Sequence, residues 1–230
     1  IIDYYKGKLI YIEIRNYKDY SSFLPIFQIC DWKYMPWLNY QLPIETDVQV
    51  ENLISSGRWN QIQKAKNQGV IYSEAQSENE VKAFYKILSD LYSHKIKKPL
   101  FPIEFFLNFY QQNLGKYLLV RYDNKVIGGI MCPILGDEII YEFYVCGLDK
   151  QYKECYPSVM ATWAAIDYAL KNQIKLFDFM GAGSPESSYG VREFKAKFGG
   201  SLVETGRFIK IMNNPMYFIG KLGMKILKII

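Results

Sequence analysis

The apolar positions change period several times along the chain, and those changes predict the order of its elements. Lys8 to Ile14 is rich in β-forming residues and alternates in places, which predicts a strand. Phe23 to Leu42 is aromatic but carries Pro25 and Pro36, with Pro43 just beyond, so one long helix is excluded and Tyr34 to Leu42 reads as a further strand. Asp47 to Gln68 has helical spacing, divided or kinked at Gly57, and Gly69 suits the cap that ends it before a strand begins at Val70-Ile71-Tyr72.

Val81, Phe84, Tyr85, Leu88 and Leu91 recur at helical spacing within Ser77 to Ser93, and Ser77 with Glu80 has the spacing of a capping box. Pro102 to Asn113 gives a second helix. A meander follows, with strands over Lys116 to Tyr122, Val126 to Ile134 and Glu138 to Cys146, turning at Asp123-Asn124-Lys125 and at Gly136-Asp137. Pro157 to Asn172 is a long helix, Ile174 to Phe179 a short buried strand, and Gly181 to Tyr189 a loop rich in Gly and Ser. A short helix over Val191 to Phe198 ends at Gly199-Gly200, Ser201 to Met212 is the last strand, and Pro215 to Ile230 is a final helix.

Composition narrows the class. Half of the 230 residues are apolar and 22% are charged, enough to build a core and unlike a disordered chain. Twenty Tyr and 14 Phe serve either core packing or a lined groove for a bulky ligand. A net charge of +5 favours anionic partners without selecting one. Cys30, Cys132, Cys146 and Cys155 form no C-x-x-C pair, and His94 is the single histidine, so neither a Cys/His metal site nor a histidine-based triad is expected. Free thiols in a reducing cytoplasm account for the cysteines. No run approaches the ~18 apolar residues of a membrane span. The start, Ile1-Ile2-Asp3-Tyr4-Tyr5, has no signal-peptide layout and reads as a piece beginning inside a domain.

Three segments carry a family resemblance. They are Trp163-x-x-Ile166-x-x-Ala169, then Phe177-Asp178-Phe179-Met180-Gly181-Ala182-Gly183, then Gly190-Val191-x-x-Phe194-Lys195-x-x-Phe198-Gly199-Gly200. Together they resemble the second GNAT-like domain of FemAB-type aminoacyltransferases. Arg58-Trp59-Asn60-Gln61-Ile62-x-Lys64-Ala65 resembles the basic helix linking the two domains of that family. The implied fold is α/β (α+β), a mixed and mainly antiparallel GNAT-like sheet flanked by helices. Residues 1–69 would be a partial first GNAT-like domain with linker helices, and residues 70–230 the acyltransferase domain. The implied activity is transfer of an amino acid from aminoacyl-tRNA to an amine on a peptidoglycan precursor. It would be carried out in the cytoplasm with no metal and no bound cofactor, and DNA is not among the implied partners.

Relatives that use acyl-CoA resemble [Gln/Arg]-x-x-Gly-x-[Gly/Ala] before the long helix, where glycines let backbone N–H groups close on a pyrophosphate. Here the segment is Gln151-Tyr152-Lys153-Glu154-Cys155-Tyr156, with Glu154 and Tyr156 in place of small residues. That disfavours an acyl-CoA donor and leaves the CoA-dependent N-acyltransferase as the rival enzyme; a non-catalytic RNA- or membrane-binding module is the other rival.

By position in the Phe-Lys motif, Lys195 is the candidate cation for a tetrahedral oxyanion. Asp178 is either an orienting group for the incoming amine or a structural cap for the following loop. Gly181, Gly183 and Gly190 either admit a ligand to the backbone or shape a turn. Arg58 and Lys64, with Lys66, are candidate phosphate contacts or a solvated helix face. Phe194 and Lys197 flank Lys195 as candidate substrate contacts, Lys197 alternatively being a solvated helix lysine. Tyr144 either lines the acceptor cleft or packs in the core. Lys221, Lys225 and Lys228 among apolar residues make the last helix either a basic amphipathic element for the inner membrane face, where lipid-linked precursors lie, or a helix that closes the core.

Overall fold

The computed structural model describes residues 2–186 and 190–226. The end of the loop expected to run to Tyr189, the side chain of Lys225, and Lys228 lie outside the described residues. The strands are β1 (Tyr11–Arg15), β2 (Lys33–Met35), β3 (Leu38–Pro43), β4 (Ile71–Glu74), β5 (Gly115–Tyr122), β6 (Lys125–Leu135), β7 (Ile139–Tyr141), β8 (Tyr144–Gly147), β9 (Leu176–Gly183), β10 (Ser201–Glu204) and β11 (Arg207–Ile211). The helices are α1 (Ile2–Tyr5), α2 (Leu24–Ile29), α3 (Asp47–Leu53), α4 (Ser56–Asn67), α5 (Glu78–Leu91), α6 (Ile103–Gln111), α7 (Pro157–Lys171), α8 (Gly190–Ala196) and α9 (Asn214–Ile226).

These elements form two compact units. The larger comprises Tyr40–Met180 with Gly190–Leu202; the smaller draws on the described parts of 1–39, 181–189 and 203–230. α3 and α4, which the sequence places ahead of a boundary at residue 69, lie in the larger unit.

The sheet of the larger unit has the order β10-β3-β9-β7-β6-β5-β4, with β8 also paired to β6. Its pairs β4–β5, β5–β6, β6–β7 and β6–β8 are antiparallel, and β7–β9 is parallel. The period of two along β5 and β6 divides the core between the two faces. Leu118, Val120, Ile130 and Cys132 join one cluster with α4 and α7, whereas Tyr117, Leu119 and Met131 join another with α5 and α6. α7 packs on β5, β6 and β8 and also on α4. It is therefore buried along most of its length, including Val159, Trp163 and Ile166, as a helix covered on more than one side must be. Ser77 caps α5 by accepting the Glu80 N–H, while Glu80 reaches back to the Gln76 N–H at 2.7 Å.

Four boundaries differ from the sequence reading. The helical run over 47–68 breaks at Ile54–Ser55, not at Gly57, because the Ser55 N–H leaves the helical pattern and donates to the Lys197 carbonyl at 3.0 Å. The strand expected over 138–146 is two strands, β7 and β8. β9 extends through Gly183, so Gly181 and Gly183 lie in a strand and the loop begins later. The run over 201–212 splits into β10 and β11, which belong to different sheets.

In the smaller unit β11 lies between β1 and β2, antiparallel to both. Phe208 is fully buried on this sheet and stacks on Phe27 with ring centroids 3.8 Å apart. The break before β11 is held by Trp37, whose carbonyl accepts the N–H groups of Thr205 and Gly206, both at 3.1 Å. Gly206 has φ +68°, and a Cβ there would stand 2.2 Å from the Tyr34 ring, so only glycine fits this position.

Candidate active site around Lys195

Within the larger unit, the end of β9 and the helix α8 bring together two of the residues singled out from sequence, Asp178 and Lys195, with two that were not, Glu142 and Gln41. Met180 takes φ +59°, unusual for a side chain larger than glycine's, and makes a local irregularity within β9. Asp178, fully buried, holds that irregularity: its carboxylate accepts the Met180 N–H at 2.6 Å and the Gln41 side-chain amide at 2.9 Å. These bonds tie Asp178 to β9 and β3.

Lys195 is 5% exposed. Its ammonium donates to the Phe179 carbonyl and lies 3.5 Å from Glu142 Oε1. Glu142 is itself 5% exposed, and its Oε2 accepts the Thr162 hydroxyl at 3.0 Å. Burial pushes the Glu142 carboxyl above the ordinary carboxylate range; the Lys195 ammonium and the Thr162 hydroxyl act against that shift. Sequence reasoning missed Glu142 because it lies in a run read as one continuous strand. The available signal was a lone carboxylate flanked by apolar residues on both sides, Ile139-Ile140-Tyr141 and Phe143-Tyr144-Val145.

α8 is seated by Arg58, which is 5% exposed and not on a solvated helix face. Its guanidinium lies 4.4 Å from the Phe194 ring centroid and 4.7 Å from that of Phe198. It donates to Gln61 Oε1 at 2.8 Å and to the Phe194 carbonyl at 3.4 Å, and its Nε has no hydrogen-bond partner. Burial lowers its pKa to about 10. The phosphate-contact reading of Arg58 is corrected accordingly: a cation enclosed between two rings of its own chain does not present itself to a nucleic-acid backbone. Arg58→Met, which keeps the packed stem and removes an incompletely bonded cation, is expected to stay within about 1 kcal/mol of the parent. Arg58→Ala, which opens a void between the rings, is expected to lose about 2–4 kcal/mol. Urea denaturation of both variants checks the difference.

The other candidates are dispersed. Lys64 and Lys197 are exposed. Lys66 is exposed too and lies over the Trp163 ring at 4.8 Å. Tyr144 is half-buried on β8, 5.2 Å from Phe106 and 6.0 Å from Tyr92 between ring centroids, in the aromatic core beneath α5 and α6. Gly190 opens α8, and among the described residues nothing stands within 4 Å of a Cβ placed there. Gly181 and Gly183 fall in the smaller unit, where a Cβ on Gly181 would stand 2.8 Å from the Trp37 indole nitrogen. Among the described residues no group of three or more His, Cys, Asp or Glu is placed to hold a metal ion.

At the start of α7 the chain supplies its own anion. Asp149 accepts the Ser158 N–H at 3.0 Å and the Ser158 hydroxyl at 2.5 Å. Tyr156, with φ +46°, occupies the position just before the helix. One first-turn N–H, that of Ser158, is thus engaged by a carboxylate of the chain itself.

Residues 120–223 match the sequence model of the FemAB family. A 96-residue stretch is 31% identical to the aminoacyltransferase FemA of Staphylococcus epidermidis, covering 40% of this chain and 22% of that protein's length. Among solved structures, FemX superposes with a TM-score of 0.71 over 92% of this chain and 74% of its own, at 14% identity. The C-terminal domain of a putative lysylphosphatidylglycerol synthetase from Agrobacterium fabrum gives 0.65 over 94% of this chain and 72% of its own, at 9% identity.

Proposed function

We propose that the protein transfers an aminoacyl group from aminoacyl-tRNA to an amine of a peptidoglycan precursor. The observation that carries this reading is a buried lysine, Lys195 of α8, held against the Phe179 carbonyl of β9 within the segment that matches the FemAB family. The acceptor amine attacks the ester carbonyl of the donor, the carbonyl electron pair moves onto oxygen, and Lys195 stabilises that oxyanion. Collapse breaks the bond to the ribose oxygen, which leaves with a proton while the amine loses one. No covalent enzyme intermediate is required, and the enzyme's contribution is positioning and fixed charge.

The Asp149 cap on α7 favours a tRNA donor over acyl-CoA, because a CoA pyrophosphate at that helix end would meet a carboxylate. The same reading places the protein in the cytoplasm. No helix among the described residues is long and apolar enough to cross a membrane. α9, with Phe218, Ile219 and Leu222 exposed beside Lys221, is the element for peripheral contact with the inner membrane face. Failure to sediment with anionic vesicles would remove that contact from the proposal.

The deciding experiment incubates the protein with tRNA charged by a mixture of labelled amino acids and with UDP-linked muramyl-pentapeptide. Label is expected on the peptide. In parallel, the pentapeptide at ~100 times its dissociation constant is expected to add about 2.7 kcal/mol to stability. Protection by acetyl-CoA alone, with no transfer from tRNA, would overturn the assignment in favour of a CoA-dependent transferase.

A further inference from the structure

We propose that Glu142 is a positioning residue for the reaction, the counter-charge that fixes the Lys195 ammonium; the inference rests on the reading of Lys195 given above. Glu142 lies just past the end of β7, before β8 begins. β7 pairs with β6 through Ile140↔Ile134, and β8 pairs with β6 through Tyr144↔Met131. Between them the Glu142 N–H donates to the Asp178 carbonyl at 2.9 Å, continuing the parallel β7–β9 ladder past Tyr141↔Asp178, while the Phe143 N–H donates to the Met131 carbonyl at 3.1 Å. Strand alternation carries Ile140 and Glu142, two residues apart, to the same buried side. A carboxylate therefore lies in the interior.

Burying a carboxylate costs several kcal/mol unless a cation and hydrogen bonds compensate for it. Both are present: Lys195 at 3.5 Å from one carboxylate oxygen and the Thr162 hydroxyl at 3.0 Å from the other. Thr162 projects from α7, Glu142 from the β7–β8 break, and Lys195 from α8. Three elements far apart in sequence therefore converge on one ion pair. A lysine head on a flexible four-carbon stem becomes a preorganised donor only when something fixes it. With its side chain 4% exposed and both oxygens engaged, Glu142 is placed to act on Lys195 and not directly on a substrate amine.

A double-mutant cycle on transfer rate tests this with the parent, Glu142→Gln, Lys195→Met and the double variant. Glu142→Gln is expected to lower kcat by about 10- to 100-fold with acceptor KM changed by less than about threefold, and to have no further effect when Lys195 is already Met. A kcat within about twofold of the parent, or losses that simply multiply in the double variant, would overturn the inference while leaving the Lys195 reading intact. Full activity of Lys195→Met would overturn both. Should Glu142→Gln fail to fold, Thr162→Val removes the hydroxyl donor without changing shape. It is expected to lower kcat by about three- to tenfold, again only when Lys195 is present; an unchanged kcat in that variant would overturn the inference.

Discussion

Lys195→Met is expected to lower the rate of aminoacyl transfer by about 10²–10³-fold, the cost of removing one preorganised donor from an oxyanion site. Methionine keeps most of the stem's volume and removes the charge, so the effect falls on kcat and acceptor KM changes little. The same substitution leaves the Glu142 carboxylate buried without its nearest cation, and breaking such a pair from one side is expected to cost about 3–5 kcal/mol of stability. Rates are therefore to be compared at a temperature where the variant is folded by circular dichroism. Under that control an unchanged kcat would mean that Lys195 is a structural cation only.

Phe198→Ala is expected to be the most destabilising single core substitution at the site, by about 3–5 kcal/mol. Phe198 is fully buried and packs on Phe179 and Phe194, with ring centroids 6.0 and 5.4 Å away, while its ring also covers the Arg58 guanidinium. Truncation removes the transfer energy of the ring and leaves a void, and it deprives a desolvated cation of one of its two aromatic faces. For a domain of this size about 2–4 °C of melting temperature is lost per kcal/mol, so calorimetry resolves the change easily. A shift below about 3 °C would show that α8 repacks around the gap.

Much of this architecture was legible in sequence where local chemistry dictates it. Asp123 and Asn124 both take positive φ, as the tight β5–β6 hairpin requires of residues that tolerate it. Ser77 and Glu80 mark the start of α5, and the Phe-Lys motif pointed to Lys195. What escaped was decided by tertiary partners. Nothing in Ile139 to Cys146 announces that the Glu142 carboxylate is buried against Lys195 and Thr162, because those partners come from α8 and α7. The turn at Thr205–Gly206, where β10 gives way to β11, is set by the Trp37 carbonyl and the Tyr34 ring, some 170 residues earlier. Arg58 read as a surface cation because its helix also carries Lys64 and Lys66; that two rings from α8 and its flank enclose it is a property of packing.

The register of the small sheet has a consequence during synthesis. Tyr11 pairs with Ile211 and Met35 with Arg207, so β1 and β2 have no strand between them until the ribosome has passed residue 211. At translation rates of about 5–20 residues per second, the interval between the emergence of β2 and of β11 is roughly 10–35 s. Over that interval the nascent chain carries two β-rich, aromatic segments with open hydrogen-bonding edges while the larger unit is already being made. The segments of β1 and β2 thus stay open to pairing with other strands until β11 is made.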